Sequence, residues 1–288
     1  MLILLYGGAL DAWRTRGSNS LMKKFSIQVQ QKIEKMLAWT TKPQTKIKTV
    51  KPYITEREDI ITLQFNALSI QSEMNVDMPD ELVIDYTRTI MSFLLFEPSP
   101  KSIAMIGLGG GSLAKYCYRY LPRTEITVVE INPDVIALRN EFAIPPDDTR
   151  FHVLLGDGAE WVTDTAYQPD VLIVDGFDAG GLPVQLRSQR FYDDCFATLA
   201  YNGIMVANLW SGYSHYDECV TNIHSSFAGS IVTITSEDGV NVIVFAFKNN
   251  DFPLSSHTIR QHAKLLCASH PLNFQAKTNR LIQVLSKL

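Results

Sequence analysis

The 288-residue chain holds only four cysteines, Cys117, Cys195, Cys219 and Cys267, widely scattered and with no C-x-x-C pair. That scatter suggests neither a disulfide framework nor a zinc site, no metal is expected, and a reducing, cytoplasmic setting fits. Long apolar runs are also missing. The opening "MLILLYGGALDAW" has a short apolar run with no basic region before it, too brief for a membrane span and wrongly shaped for a secretory signal. It reads as the start of a soluble chain. Repeats and low-complexity segments are absent. What is present, 46% hydrophobic and 19% charged residues, is the profile of a soluble, enzyme-like globular protein.

Charge is unevenly spread. Residues 14–51 carry ten Lys or Arg against one acid, Glu34, whereas 16 basic and 28 acidic residues follow from Pro52 onward. The basic segment reads as a solvated helix or flexible tail, with an amphipathic helix on an anionic partner as the alternative. For the acidic body no nucleic-acid or membrane partner is expected.

Residues 51–76 alternate apolar and polar positions in short runs around Ile54, Ile60, Leu63, Phe65, Leu68 and Ile70, the pattern of a small antiparallel β unit. Residues 79–96 space their apolar side chains as a helix does, with Pro79 and two acids at its beginning. After Pro98 and Pro100, the runs "SIAMIG", "EITVVE", "FHVLLGD", "VLIVDG" and "GIMVANL" alternate with stretches able to form helices, which predicts a mostly parallel, doubly wound sheet. The runs "SIVTITS" and "NVIVFAF" flank "EDG" and predict a hairpin that sets an antiparallel strand at the far end of that sheet. The chain therefore divides into a basic segment (1–50), a small β unit plus helix (51–97) and an α/β domain (98–288).

Chemistry gathers where these strands end. "IGLGGGS" places Gly107, Gly109, Gly110 and Gly111 where the backbone can turn tightly and approach a ligand at a helix N-terminus. The G-x-G-x-G spacing, with Ser112 at the sixth position, suits a nucleoside-sulfonium loop better than a dinucleotide loop. Glu130 closes the next strand, where an acid can accept hydrogen bonds from both hydroxyls of a ribose. Asp157, beside Gly158, can take an adenine amine, and Asp175 and Asp178 follow the fourth strand. Any one of these acids has an alternative role as a helix N-cap. Together they make an anionic cleft that favours a cation such as a sulfonium or a polyamine over a phosphate.

In their order, "MIGLGGGSLAKY", "VVEINPDVIALRNEF", "LLGDGAEWV" and "VDGFDAGGLPVQLRSQRFYDDCFATLAYNGIMVANL" resemble the spermidine synthase (polyamine aminopropyltransferase) family, in particular its bacterial spermidine-synthase-like branch, over about residues 50–250. The resemblance implies a Rossmann-like, methyltransferase-type sheet with a small N-terminal β domain. It also implies aminopropyl transfer from decarboxylated S-adenosylmethionine to a polyamine such as putrescine, without a metal. Carried over by position, Asp175 is the catalytic carboxylate and Asp178 holds the polyamine ammonium. Tyr86 and Gln71 approach the substrates, and Trp210 is a candidate wall of the acceptor pocket. A homodimer or higher homo-oligomer is implied as well.

The chain departs from the family pattern at several points. Gly110 stands where the family has an acid that contacts the donor's ammonium, "AGGLPVQL" replaces the family's gate, and "NLWSGY" replaces an expected Gln and Glu. "TSEDGV" replaces a segment that supplies a tyrosine to the acceptor pocket. Two alternatives follow from these departures: an S-adenosylmethionine-dependent methyltransferase, or a catalytically silent nucleoside- or polyamine-binding homologue.

Overall fold

The computed structural model describes residues 39, 49–66, 69–164, 167–249 and 254–286. Apart from Trp39, Thr49 and Val50, the expectation for residues 1–50 lies outside these residues. Every element below belongs to one compact unit, residues 44–288.

The N-terminal β unit is a three-stranded antiparallel meander of β1 (Tyr53–Arg57), β2 (Ile60–Asn66) and β3 (Ser69–Asn75). Helix α1 (Asp85–Ile90) then runs into a fully buried 3₁₀ turn, Met91–Leu95. The helical spacing over 79–96 predicted an earlier start. The structure corrects it: the Arg88 guanidinium takes the carbonyls of Leu82 at 2.7 Å and Val83 at 2.6 Å, so these oxygens are used outside a helical ladder.

The larger layer is a seven-stranded sheet in the order β6-β5-β4-β7-β8-β10-β9. Its strands are β4 (Ser102–Ile106), β5 (Glu125–Glu130), β6 (Phe151–Leu155), β7 (Val171–Val174), β8 (Ile204–Trp210), β9 (Ile231–Thr235) and β10 (Asn241–Phe247). The first five pair in parallel. Between them run α2 (Ser112–Tyr120), α3 (Pro133–Ala137), α4 (Gly158–Asp164) and α5 (Gln189–Thr198), followed by α6 (Tyr216–Ser226). Two terminal helices, α7 (Ser256–Cys267) and α8 (Phe274–Leu285), complete the chain. All four residues of β7 are buried, as a strand covered on both faces requires. This is the doubly wound, Rossmann-like α/β sheet with a small N-terminal β unit that the motifs imply.

The hairpin differs in one respect from its expected place. The antiparallel strand, β10, is not outermost: it pairs with both β8 and β9, and β9 forms the edge. Burial explains the order, because six of seven β10 residues are buried whereas β9 alternates in the manner of an edge strand. Among the described residues no helix is long and apolar enough to cross a membrane.

β4 has β5 on one side and β7 on the other, so the strand order reverses between β4 and β7. Ligands of open α/β sheets bind at such a switch point, beyond the carboxyl ends of the strands.

Candidate active site

A cavity of about 1070 Å³ opens at that switch point. Its walls include Gly107, Gly109, Glu130, Asp157 and Gly158 from the β4–β6 side and Asp175, Asp178 and Trp210 from the β7–β8 side, with Gln71 and Tyr86 contributed by the N-terminal region.

The glycine loop is shaped by contacts that no side chain tolerates. Gly107 has φ +98°, and a Cβ there would lie 2.2 Å from the carbonyl oxygen of Asp175, so the glycine loop and the loop after β7 touch backbone to backbone. Gly158 lets the start of α4 close on β4, since a Cβ would stand 2.3 Å from Ile106. Gly110 and Gly111, candidates for donor contact, do not line the cavity. Gly111 caps α2 in the left-handed region and packs on Ile144, and a Cβ at Gly110 would meet Ser72 Oγ at 2.6 Å and the Phe142 ring at 2.8 Å. The space that the family's acid would need is therefore filled by neighbours.

Glu130 is 7% exposed at the end of β5. One carboxylate oxygen accepts the Leu108 amide at 2.8 Å and the other the Asn132 amide at 2.8 Å, which ties the glycine loop to β5. Burial raises its carboxyl above the ordinary range, and backbone amides partly offset this. The amides of Gly109 and Ile131 reach the carboxylate as well, so all of its roughly four acceptor sites face the loop backbone and a ribose hydroxyl would share them. Asp157 has two roles: it caps α4 by accepting the Ala159 amide at 2.8 Å, and it faces the cavity beside Gln185. Burial, its largest influence, raises its carboxyl too.

Asp175 sits directly after β7 and accepts two hydrogen bonds, from Tyr86 Oη at 3.0 Å and from Asn208 Nδ2 at 2.8 Å. Burial pushes its carboxyl above the ordinary aspartate range, while these two donors pull it back. The Tyr86 hydroxyl is driven well above its usual value, first by burial and then by the Asp175 charge, so it stays protonated as a donor. Asp178 is exposed, and its carboxylate accepts the Gly180 amide at 2.6 Å within its own turn. Trp210 stands 46% exposed at the end of β8, its indole held against Gly212, where a Cβ would come within 3.1 Å of the ring.

Several wall residues carried no signal strong enough to be singled out from sequence. Tyr213 donates to the Leu182 carbonyl at 3.1 Å and packs on Gly181, which holds the turn after Asp175. The "TSEDGV" turn supplies Asp238, whose carboxyl is kept below the usual range first by the Ser236 hydroxyl and then by the Val240 amide. Asn241 follows it, and Glu73 enters from β3. The available hints were a polar residue closing the apolar run "IMVAN" and another opening "NVIVFAF". His215, by contrast, pairs with Glu218 at 2.7 Å and does not line the cavity. Six carboxylates, Glu73, Glu130, Asp157, Asp175, Asp178 and Asp238, thus share one cavity, and among its described wall residues there is no Lys, Arg or His.

Residues 83–235 match the spermine/spermidine synthase domain family. The polyamine aminopropyltransferase of Neisseria meningitidis is 37% identical over 223 residues, covering 77% of this chain and 85% of its own length. That of Chromobacterium violaceum is 35% identical over 231 residues, covering 80% and 88%. In fold, a crystal structure of a spermidine synthase in complex with the transition-state analogue AdoDATO superposes with a TM-score of 0.59 at 20% identity, over 82% of this chain and 86% of that one. With a matched family domain over more than half its length and relatives of this similarity over most of theirs, the chain belongs to the spermine/spermidine synthase family.

Proposed function

We propose that the protein transfers the aminopropyl group of decarboxylated S-adenosylmethionine to a primary amine of a polyamine such as putrescine. The observation that carries this reading is the cavity itself: six carboxylates and no cationic side chain among its described wall residues make a site for a ligand that brings positive charge. A sulfonium donor and an ammonium-bearing acceptor both do. The matched family and the aminopropyltransferase relatives support the same reaction class.

In this reading the glycine loop, Glu130 and Asp157 hold the adenosine part, with Glu130 on the ribose hydroxyls and Asp157 on the adenine amine. Asp175 orients the acceptor amine and takes its proton. The nitrogen lone pair attacks the aminopropyl methylene next to sulfur, the N–C bond forms as the C–S bond breaks, and the electron pair leaves on sulfur as neutral methylthioadenosine. The proton passes from nitrogen to Asp175 and then to solvent. No metal has a step to perform, because sulfonium is already a good leaving group. Holding nucleophile and carbon in line supplies about 7–11 kcal/mol in well-oriented systems, and a positioned base adds roughly 10²–10⁴ in rate. Asp178 and Trp210 line the mouth that the far end of the acceptor occupies, and Gln71 approaches from β3. The enzyme works in the cytoplasm as a homodimer or higher homo-oligomer, a reading supported by the exposed Val76 and Met78 just after β3. Light scattering that gives a clean monomer would refute the assembly.

The function is tested by incubating the purified protein with decarboxylated S-adenosylmethionine and a panel of di- and triamines. Methylthioadenosine release that depends on the amine is expected. No release with any amine would overturn the assignment.

A further inference from the structure

Asp175 receives its two hydrogen bonds from elements far apart in sequence, and both are tied to the β9–β10 hairpin. Tyr86 follows Asp85, whose Oδ2 accepts the backbone amides of Glu237 and of Asp238, the latter at 3.3 Å, in the hairpin turn. Asn208 donates through Nδ2 to Asp175, and its Oδ1 accepts from Asn241 Nδ2 at 2.9 Å. Asn241 opens β10, and its backbone is fixed by Ser236, whose amide donates to the Asn241 carbonyl at 2.7 Å and whose hydroxyl accepts the Asn241 amide at 2.9 Å. The hairpin thus closes a ring through Asp85, Tyr86, Asp175, Asn208 and Asn241.

A carboxamide has one donor end and one acceptor end. If Asn208 turned over, its carbonyl would face the Asp175 carboxylate, acceptor against acceptor. On the proposed aminopropyl-transfer reading, we infer that Asn241 is a positioning residue: by donating to Asn208 Oδ1 it fixes the amide so that N–H, not C=O, faces the general base. "TSEDGV", which replaces the family's tyrosine-bearing segment, then contributes to the chemistry through this relay. The groups around Asp175 are few. Tyr86 faces it from α1 and Asn208 from β8, while Glu73, Glu130, Asp157, Asp178 and Asp238 share the cavity. Changing Asn241 alters none of these side chains and frees only the Asn208 amide to turn over.

The test is Asn241→Leu, similar in size but unable to donate, with Asn241→Asp as a second variant that retains shape but only accepts, so that Asn208 keeps a partner there only by turning its amide over. Two readouts are taken: the acid limb of the kcat/KM profile, and the titration of the Asp175 carboxyl by NMR in the substrate-free protein. The relay predicts that both variants move the Asp175 titration to higher pH by about one unit, a tenfold change in proton affinity. It also predicts a fall in kcat with the donor KM unchanged. In an Asn208→Leu background, Asn241→Leu should add nothing further, since the effect passes through Asn208. An unchanged titration in both variants, or an effect of full size in the Asn208→Leu background, overturns the inference. The NMR readout separates the two claims: a protein with no transferase activity whose Asp175 still shifts refutes the reaction and retains the relay.

Discussion

The two sides of the cavity are built on different principles. On the side proposed to hold the donor, Gly107, Glu130 and Asp157 lie at the ends of consecutive parallel strands and are held by backbone: glycine turns without side chains, amides on Glu130, a helix cap on Asp157. On the side proposed for the acceptor, Asp175 is held by side chains from α1, β8 and, through Asn208, β10. Backbone frames tolerate change poorly but are written locally. Side-chain frames can be rewired one residue at a time, which suits a site where the chain departs from its family's pattern.

Asp175→Asn breaks the acceptor side most completely, with an expected loss of about 10²–10⁴ in kcat/KM and disappearance of the acid limb. The sign of that limb follows from the raised carboxyl: activity grows as pH climbs through a value above the ordinary aspartate range, because only the ionised form takes a proton. The same shift means the folded state binds this proton more tightly than the unfolded chain. The resulting penalty is complete above the folded-state value, so the substitution should leave Tm unchanged or raise it at neutral pH. Loss of Tm together with activity would recast Asp175 as structural.

Gly110→Asp probes the donor side by restoring the family's acid. Ser72 and Phe142 occupy the space, so overpacking should cost roughly 1–3 kcal/mol and lower Tm by several degrees without tightening donor binding. Tighter donor binding at an unchanged Tm would show that the loop is free to open. Tyr86→Phe removes one neutral donor from Asp175, worth about 1 kcal/mol. It should lower kcat several-fold and move the acid limb upward, with donor affinity unaffected. Trp210→Ala should raise the acceptor KM about two- to fivefold, the scale of an exposed cation–π contact, and a change in donor affinity instead would place the indole on the other side.

The same contrast explains what could be read from the chain. The strands were legible because each is an apolar run bounded by turn residues, and the donor side was legible because its glycines and acids sit at fixed offsets from those runs. Asn208, Asn241 and Asp238 were not, because their meeting depends on β10 returning beside β8 in the register Ile243 to Asn208 and Asn241 to Trp210. No local pattern encodes such a pairing. Asp85 carried no local signal either: the helical spacing over 79–96 places it within a helix, and only the fold shows it holding a hairpin turn 152 residues away.

Calorimetric titration with decarboxylated S-adenosylmethionine and with S-adenosylmethionine tests the central claim most directly, because the two ligands share adenosine and sulfonium and differ by one carboxylate. A cavity walled by six acids, with no cationic side chain among its described residues, should bind the decarboxylated form at least tenfold more tightly, about 1.4 kcal/mol. Equal affinity, or preference for the carboxylated form, would contradict the account.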